Sequence, residues 1–280
     1  MKLLPGTLPA WESLMPSMPR AAEREALPPL IAAEGDRRAR VALLTGCVQS
    51  VVFGAHNRAT ARILAKNGCD VVVPQAQGCC GALNAHGGDH ARALAMAKKT
   101  ISVFEAARVE VVIVNTSGCG AHMKGYGLLL ADDPAWAARA KRFAASVQDI
   151  SEFLAKTPLR GPLHPVPMTV TYHDPCHVVH GQKIKKEPRQ LLAQVPGLSV
   201  VELTESDWCC GSAGIYNLTQ PEMASRLLAR KVDHVVATGA AAVVTANPGC
   251  ILQIQQGLRA RDHHVAVHHI VEILDKAYGA

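Results

Sequence analysis

From Arg40 onward, apolar and polar positions follow a regular plan. Val41 to Leu44 is a short apolar run ending at Gly46-Cys47. A helical stretch over 56–67 stops at Asn67-Gly68, a favourable helix C-terminus. Val71-Val72-Val73 reads as a second strand and runs into the loop Gly78-Cys79-Cys80-Gly81. An alanine-rich helix over 88–107 leads to a strand over 109–114, which ends at Gly118-Cys119. Helical segments near 120–130, 134–145 and 149–156 close this half.

The plan then recurs. After a proline-rich joint at Pro158, Pro162, Pro165 and Pro167, a strand over 168–172 ends in His173-Asp174-Pro175-Cys176. A helix near 187–194, a strand at 199–203, the Cys209-Cys210-Gly211 loop and a helix near 221–236 come next. A strand over 241–246 runs into Asn247-Pro248-Gly249-Cys250, followed by a helix, a short strand at 264–268 and a terminal helix. Strands alternating with helices predict parallel sheets. The expected fold is α/β, with two Rossmann-like parallel-sheet lobes related by an internal repeat. The expected division is a linker or docking segment at 1–38, a first lobe at 39–157 and a second at 158–280. Leu3, Leu4, Leu8, Trp11, Leu14 and Met15 in the first segment could pack on a partner or on this chain.

The cysteines obey the same repeat. Cys47 and Cys79 are 32 apart and Cys80 and Cys119 are 39 apart; Cys176 and Cys209 are 33 apart and Cys210 and Cys250 are 40 apart. Each set of four stands just beyond predicted strand ends, the edge where open α/β sheets bind ligands. Four thiolates per set is the ligand count of an iron–sulfur cluster or a structural zinc. There is no C-x-x-C knuckle of the kind zinc sites use. Gly81 and Gly211 can take positive φ and let both neighbouring sulfurs approach one centre. Cys119 and Cys250 each precede a predicted helix, whose amide end would lower the thiol pKa. Glycines beside the cysteines (Gly46, Gly78, Gly118, Gly211, Gly214, Gly249) offer N–H groups to sulfur. Cys69 lies outside both sets and reads as a small buried residue. His173, His177 and His180 flank Cys176, either as hydrogen-bond partners of a cluster or as imidazoles bonded to backbone. His263-His264 and His268-His269 read as structural.

Composition narrows the classes. Of 280 residues, 49% are hydrophobic and 19% charged, as in an ordinary globular chain long enough for about two domains. The net charge of +6 is dispersed in short groups without interleaved aromatics, which argues against nucleic-acid binding. No apolar run reaches the ~18 residues that span a bilayer. Prolines and Glu12 break any secretory signal, so a reducing, cytoplasmic setting is expected, where clustered cysteines bind metal. Gly211-Ser212-Ala213-Gly214 lacks the pattern of a phosphate loop.

The segments Gln77-Gly-Cys-Cys-Gly-Ala-Leu83, Asn115-Thr-Ser-Gly-Cys-Gly120, Tyr172-His-Asp-Pro-Cys-His177, Cys209-Cys-Gly-Ser-Ala-Gly-Ile-Tyr-Asn217 and Asn247-Pro-Gly-Cys250, with the ending Glu272-Ile-Leu-Asp-Lys-Ala-Tyr278, resemble the cysteine-rich CCG repeat family. That family includes the CCG-bearing component of heterodisulfide reductase, lactate-utilisation iron–sulfur proteins and, most similar over 40–280, glycolate oxidase iron–sulfur subunits. The resemblance implies an electron-transfer subunit of a 2-hydroxy-acid oxidising complex, passing electrons from a flavin-containing subunit toward quinone or another acceptor. Up to two 4Fe–4S clusters are implied, one on Cys47, Cys79, Cys80 and Cys119 and one on Cys176, Cys209, Cys210 and Cys250, with no catalytic residue. A peripheral membrane association and a separate ferredoxin-like protein also follow from it. The family's N-terminal module with C-x₂-C-x₂-C-x₃-C-P runs has no counterpart here, so the chain is expected to correspond to the C-terminal two-thirds. Where five-cysteine CCG motifs close with C-x-x-C, this chain has Thr116 and Asn247, which favours four-ligand clusters. A cluster-based disulfide or quinone reductase and a zinc-stapled interaction module stand as alternatives.

Overall fold

In the computed structural model, residues 18–19 and 26–279 are described. The expected packing of Leu3, Leu4, Leu8, Trp11, Leu14 and Met15 lies outside them.

The first half folds as β1 (Leu30–Ile31), β2 (Ala39–Leu43), α1 (Val48–Val52), α2 (Gly54–Lys66), β3 (Cys69–Val72), α3 (Ala82–His86), α4 (His90–Ala106), β4 (Val111–Val114), α5 (Ser117–Lys124), α6 (Tyr126–Leu129), α7 (Ala137–Ser146), β5 (Val147–Asp149) and α8 (Ile150–Ala155). The second half folds as β6 (Met168–Tyr172), a π-helical turn (His177–Gly181), α9 (Glu187–Leu192), β7 (Leu198–Val201), α10 (Tyr216–Thr219), α11 (Pro221–Ala237), β8 (Ala242–Thr245), α12 (Pro248–Ala260), β9 (Ala266–His269) and α13 (Ile270–Ala277).

The sheet orders are β1-β3-β2-β4-β5 and β7-β6-β8-β9. Apart from β1, which runs antiparallel on the edge, all pairs are parallel and the two orders superpose strand for strand. The expected α/β fold of two parallel-sheet lobes is observed. The helix expected over 149–156 is observed as α8; the strand before it, β5, is not expected from the sequence. It is only three residues long, and its Asp149 ends it by capping α8, accepting from Ser151 N at 2.8 Å. The short helices α1, α3 and α10 and the π-helical turn are also absent from the sequence expectation. Each is about one turn, too brief to leave an apolar period.

Side-chain alternation explains how the sheets stack. On the first sheet, Val41, Leu43, Val71 and Ile113 face one apolar cluster, whereas Ala42, Val112, Val114 and Val147 face another with Ile101, Phe104 and Phe143. The first cluster is shared: it also takes Val170, Tyr172, Ala242 and Val244 from the second sheet. Between the sheets lie Ile63 and Leu64 of α2, Ile150 and Leu154 of α8, Leu191 and Leu192 of α9, and Ile273 and Leu274 of α13. A third cluster covers the outer face of the second sheet with α11 and α12. Full burial of each such side chain contributes about 1.5–3 kcal/mol. Polar links reinforce the shared layer, including Asn67 Nδ2 to Tyr278 OH (2.8 Å) and the Arg62–Asp275 ion pair. Cys69 is buried at the start of β3, as expected.

Candidate metal centres

Both cysteine quartets assemble where their strands end. In the first, Cys47 Sγ lies 3.5 Å from Cys79 Sγ, and Cys80 neighbours both Cys79 and Cys119. In the second, Cys210 Sγ lies 3.2 Å from Cys250 Sγ, and Cys209 neighbours both Cys176 and Cys210. All nine cysteines are free thiols. Sulfurs from three separate loops therefore meet in each of two groups of four.

Local chemistry builds the cysteine loops. Gly81 has φ of 86° and Gly211 has φ of 90°. These left-handed turns direct Gly81 N at Cys79 Sγ (3.4 Å) and Gly211 N at Cys209 Sγ (3.3 Å). At Gly211 a Cβ would stand 2.5 Å from Ala224 O. Among the described residues, the other cysteine-flanking glycines make no such bond to sulfur. Cys119 and Cys250 do not precede their helices; each is the third residue of one, α5 and α12. Both strand-to-helix links start earlier than the sequence indicates, at Ser117 and Pro248. The first-turn position still puts each thiol at the amide-rich end of the helix.

The two centres differ in their surroundings. Cys47 is exposed, and all four sulfur-bearing residues of its quartet line a cavity of about 560 Å³. Ser212, Asn217, Asn247 and Leu252 of the second half line its other side, with His86 and His177 between. The second quartet is not among that lining, and Cys210 and Cys250 are buried. Thiol pairing raises some pKa values and lowers others. The hydrogen bond with Cys79 and then burial push the Cys47 thiol far up. Sharing with Cys176 and Cys210 draws Cys209 down to about 2, and sharing with Cys210 draws Cys250 well below its usual value. Sharing and burial push Cys176 and Cys210 up, and binding a metal requires all four thiols as thiolates.

The flanking polar groups take distinct places. His173 is buried, 1% exposed, with no hydrogen-bond partner on either ring nitrogen among the described residues. Its ring joins Cys210 and Cys250 in a group whose donor atoms lie within 4.8 Å of one another. Backbone bonding of that imidazole is thus not what holds it. His177 Nδ1 stands 3.8 Å from Cys176 Sγ, and its ring centroid is 5.5 Å from that of His86. His180 is exposed. Asn247, at the C-x-x-C position, donates its Nδ2 to Cys250 Sγ at 3.3 Å. Lys231 escapes sequence reasoning. It lies fully buried on α11, donating to Glu205 O (2.5 Å) and Ser206 O (3.4 Å) in the loop that carries Cys209. Its only sequence signal is a lysine on the apolar stripe Leu228, Val232, Val235. His269 is structural, as expected, and caps α13.

Comparison with known proteins identifies the same repeat. The family model for the CCG cysteine-rich domain matches residues 41–124 and 170–255, one copy per half. The "Probable glycolate oxidase iron-sulfur subunit" of Bacillus subtilis is 38% identical over the whole of this chain and 64% of its own length. The glycolate oxidase iron–sulfur subunit of Escherichia coli is 32% identical over 85% of this chain and 58% of its own. Lactate utilization protein A of Exiguobacterium is 31% identical over 84% of this chain and 97% of its own. The chain thus spans less than two thirds of the two glycolate oxidase subunits. In fold, it resembles a hypothetical protein from Helicobacter pylori (TM-score 0.65, 11% identity), covering all of this chain and 55% of that one. Among the described residues, no helix is long and apolar enough to cross a membrane.

Proposed function

The chain belongs to the CCG cysteine-rich domain family, and from that premise we propose that it is an iron–sulfur electron-transfer subunit of a complex oxidising glycolate or a related 2-hydroxy acid. Cys47, Cys79, Cys80 and Cys119 hold one 4Fe–4S cluster; Cys176, Cys209, Cys210 and Cys250 hold the other. A flavin-containing subunit supplies the electrons, and quinone or another acceptor takes them, with a ferredoxin-like protein as an additional partner. The single observation that supports this most is the convergence of all eight repeat cysteines into two quartets of free thiols.

The donor set fits the group. Soft thiolates suit iron–sulfur clusters and zinc alike, and the roomy cavity against the first quartet favours the larger group over a single ion. A bound iron–sulfur cluster supplies one-electron storage at a potential set by charge, hydrogen bonds and exposure. This chain's residues provide those controls. Gly81 N, Gly211 N and Asn247 Nδ2 donate to sulfur and stabilise its negative charge. Burial lowers the pKa of Lys231, while the charges of Cys210 and Cys250 raise it; protonated, it places a cation behind the second quartet. Cys47 and the cavity leave the first centre accessible at the surface, as exchange with a partner requires. Nine free thiols suit a reducing compartment, so we place the complex in the cytoplasm, peripheral to the membrane.

The cavity also favours a second reading, in which the first centre reduces a disulfide or quinone directly, with His86 and His177 in its wall. Steady-state assays of the anaerobically purified chain with reduced methyl viologen separate the two. The carrier reading expects a single stoichiometric reduction of the chain by viologen, its reoxidation by a soluble quinone analogue, and reduction by glycolate only when the flavoprotein subunit is present. Sustained turnover of a disulfide by the isolated chain contradicts it.

A further inference from the structure

The two quartets are equal in sequence spacing but not in donors. Three residues before Cys176 stands His173; three residues before Cys47 stands Leu44. Leu44 is buried in an apolar cluster. His173 is buried at the matching place, immediately after β6, and its backbone is pinned there by a bond from its N–H to Val244 O (2.9 Å). A buried imidazole without partners costs about 1–3 kcal/mol, and such orphaned groups in folded proteins mark a missing ion, water or reaction. Among the described residues, the metal-ligating atoms grouped with this ring are the sulfurs of Cys210 and Cys250, all within 4.8 Å.

We propose that His173 is a fifth ligand of the second centre, binding through a ring nitrogen to an iron of the cluster held by Cys176, Cys209, Cys210 and Cys250. The position from which a fifth thiolate would come, Asn247, instead donates a hydrogen bond to Cys250 Sγ and cannot supply one. The added donor therefore comes from the opposite loop, at the end of β6. Its neutrality matters: a neutral imidazole adds no negative charge where a fifth thiolate would, and a cluster's potential follows its net charge; Lys231, when protonated, raises that potential. With that cation behind it, the second centre is the electron sink of the pair and the first, open to the cavity, the lower-potential one. This inference rests on the iron–sulfur reading of the second quartet.

Pulsed EPR of the reduced full-length chain tests it. Directly bonded nitrogen gives strong ¹⁴N coupling, which ¹⁵N-histidine labelling replaces with a ¹⁵N pattern in the wild type. The coupling is lost in His173→Gln and retained in His177→Gln. In His173→Cys, the higher of the two midpoint potentials shifts negative. A cluster signal without strong histidine coupling, or coupling that survives His173→Gln, overturns the assignment while leaving the clusters in place. Wild-type protein containing no acid-labile sulfide overturns the underlying reading, and the ligand assignment with it. If His173→Gln fails to assemble a second cluster, isotope labelling of the wild type and the His177→Gln control still decide.

Discussion

His269 Nε2 donates to the carbonyl oxygen of Asn115 across 2.8 Å, while its Nδ1 accepts from Val271 N at 3.2 Å. One neutral imidazole thereby ties the end of β4, beside the first quartet, to the cap of α13 in the other half. Asn115 fixes the remaining side of the joint. Its Nδ2 donates to Asn57 Oδ1 and Thr60 Oγ1, both at 2.9 Å.

Burial of that imidazole makes stability depend on pH. Burial lowers the His269 pKa from 6.5 to about 3, so the unfolded chain takes up a proton near 6.5 while the folded chain does not. Between those values the unfolded state binds more protons, and stability falls as pH falls. His122, lowered by burial to about 4, acts in the same sense. So does Glu272: burial raises its pKa, but hydrogen bonds from His268 and His56 prevail and hold it well below the usual range. Its contribution is present above about pH 4.5 and lost below. Asp149 opposes them, because burial raises it to about 6 and favours the folded state toward acid. Thermal midpoints measured anaerobically from pH 7 to 5 are expected to fall with acid. His269→Asn, which can still cap α13, should reduce the slope by up to about 1.4 kcal/mol per pH unit. An unchanged slope in the variant would refute the linkage.

Gly211→Ala is expected to damage the second centre severely. The left-handed backbone alone costs about 1–2 kcal/mol for an alanine, and the new Cβ meets Ala224 O at 2.5 Å, main chain that cannot step aside. Gly81→Ala meets nothing nearer than 3.3 Å and should be milder. Iron content and urea midpoints of the two variants give the ranking, and equal losses would contradict it.

Lys231→Met removes a buried amine and its bonds to Glu205 O and Ser206 O, which keep Trp208 N and Asp174 N as donors. The second centre's midpoint potential should shift negative in a redox titration followed by EPR, with the first unchanged. A positive shift, or none, would remove Lys231 from the groups that set that potential.

Much of this is legible in the chain. Repeat spacing marks all eight cysteines, because distance along a strand–helix–strand unit fixes which loops share a sheet edge. Cys69 falls outside them for the same reason. The inequality of the centres is not legible. Whether His173 meets sulfur or backbone, and whether Lys231 lies in water or beneath a cysteine loop, depends on how α11 and α12 pack on the second sheet. β5 is hidden by its brevity, although Asp149-Ile-Ser-Glu-Phe-Leu-Ala-Lys156 matches His269-Ile-Val-Glu-Ile-Leu-Asp-Lys276 closely enough to expose it. Each of these segments carries a strand end, a cap and a helix.

Iron and acid-labile sulfide, counted in anaerobically purified wild-type, Cys80→Ser and Cys210→Ser protein, test the metal centres most directly. About four irons and four sulfides per quartet are expected in the wild type, with one quartet's share lost in each single variant. Zinc without sulfide, or cysteine variants that keep the full wild-type iron, would contradict the assignment of these thiols.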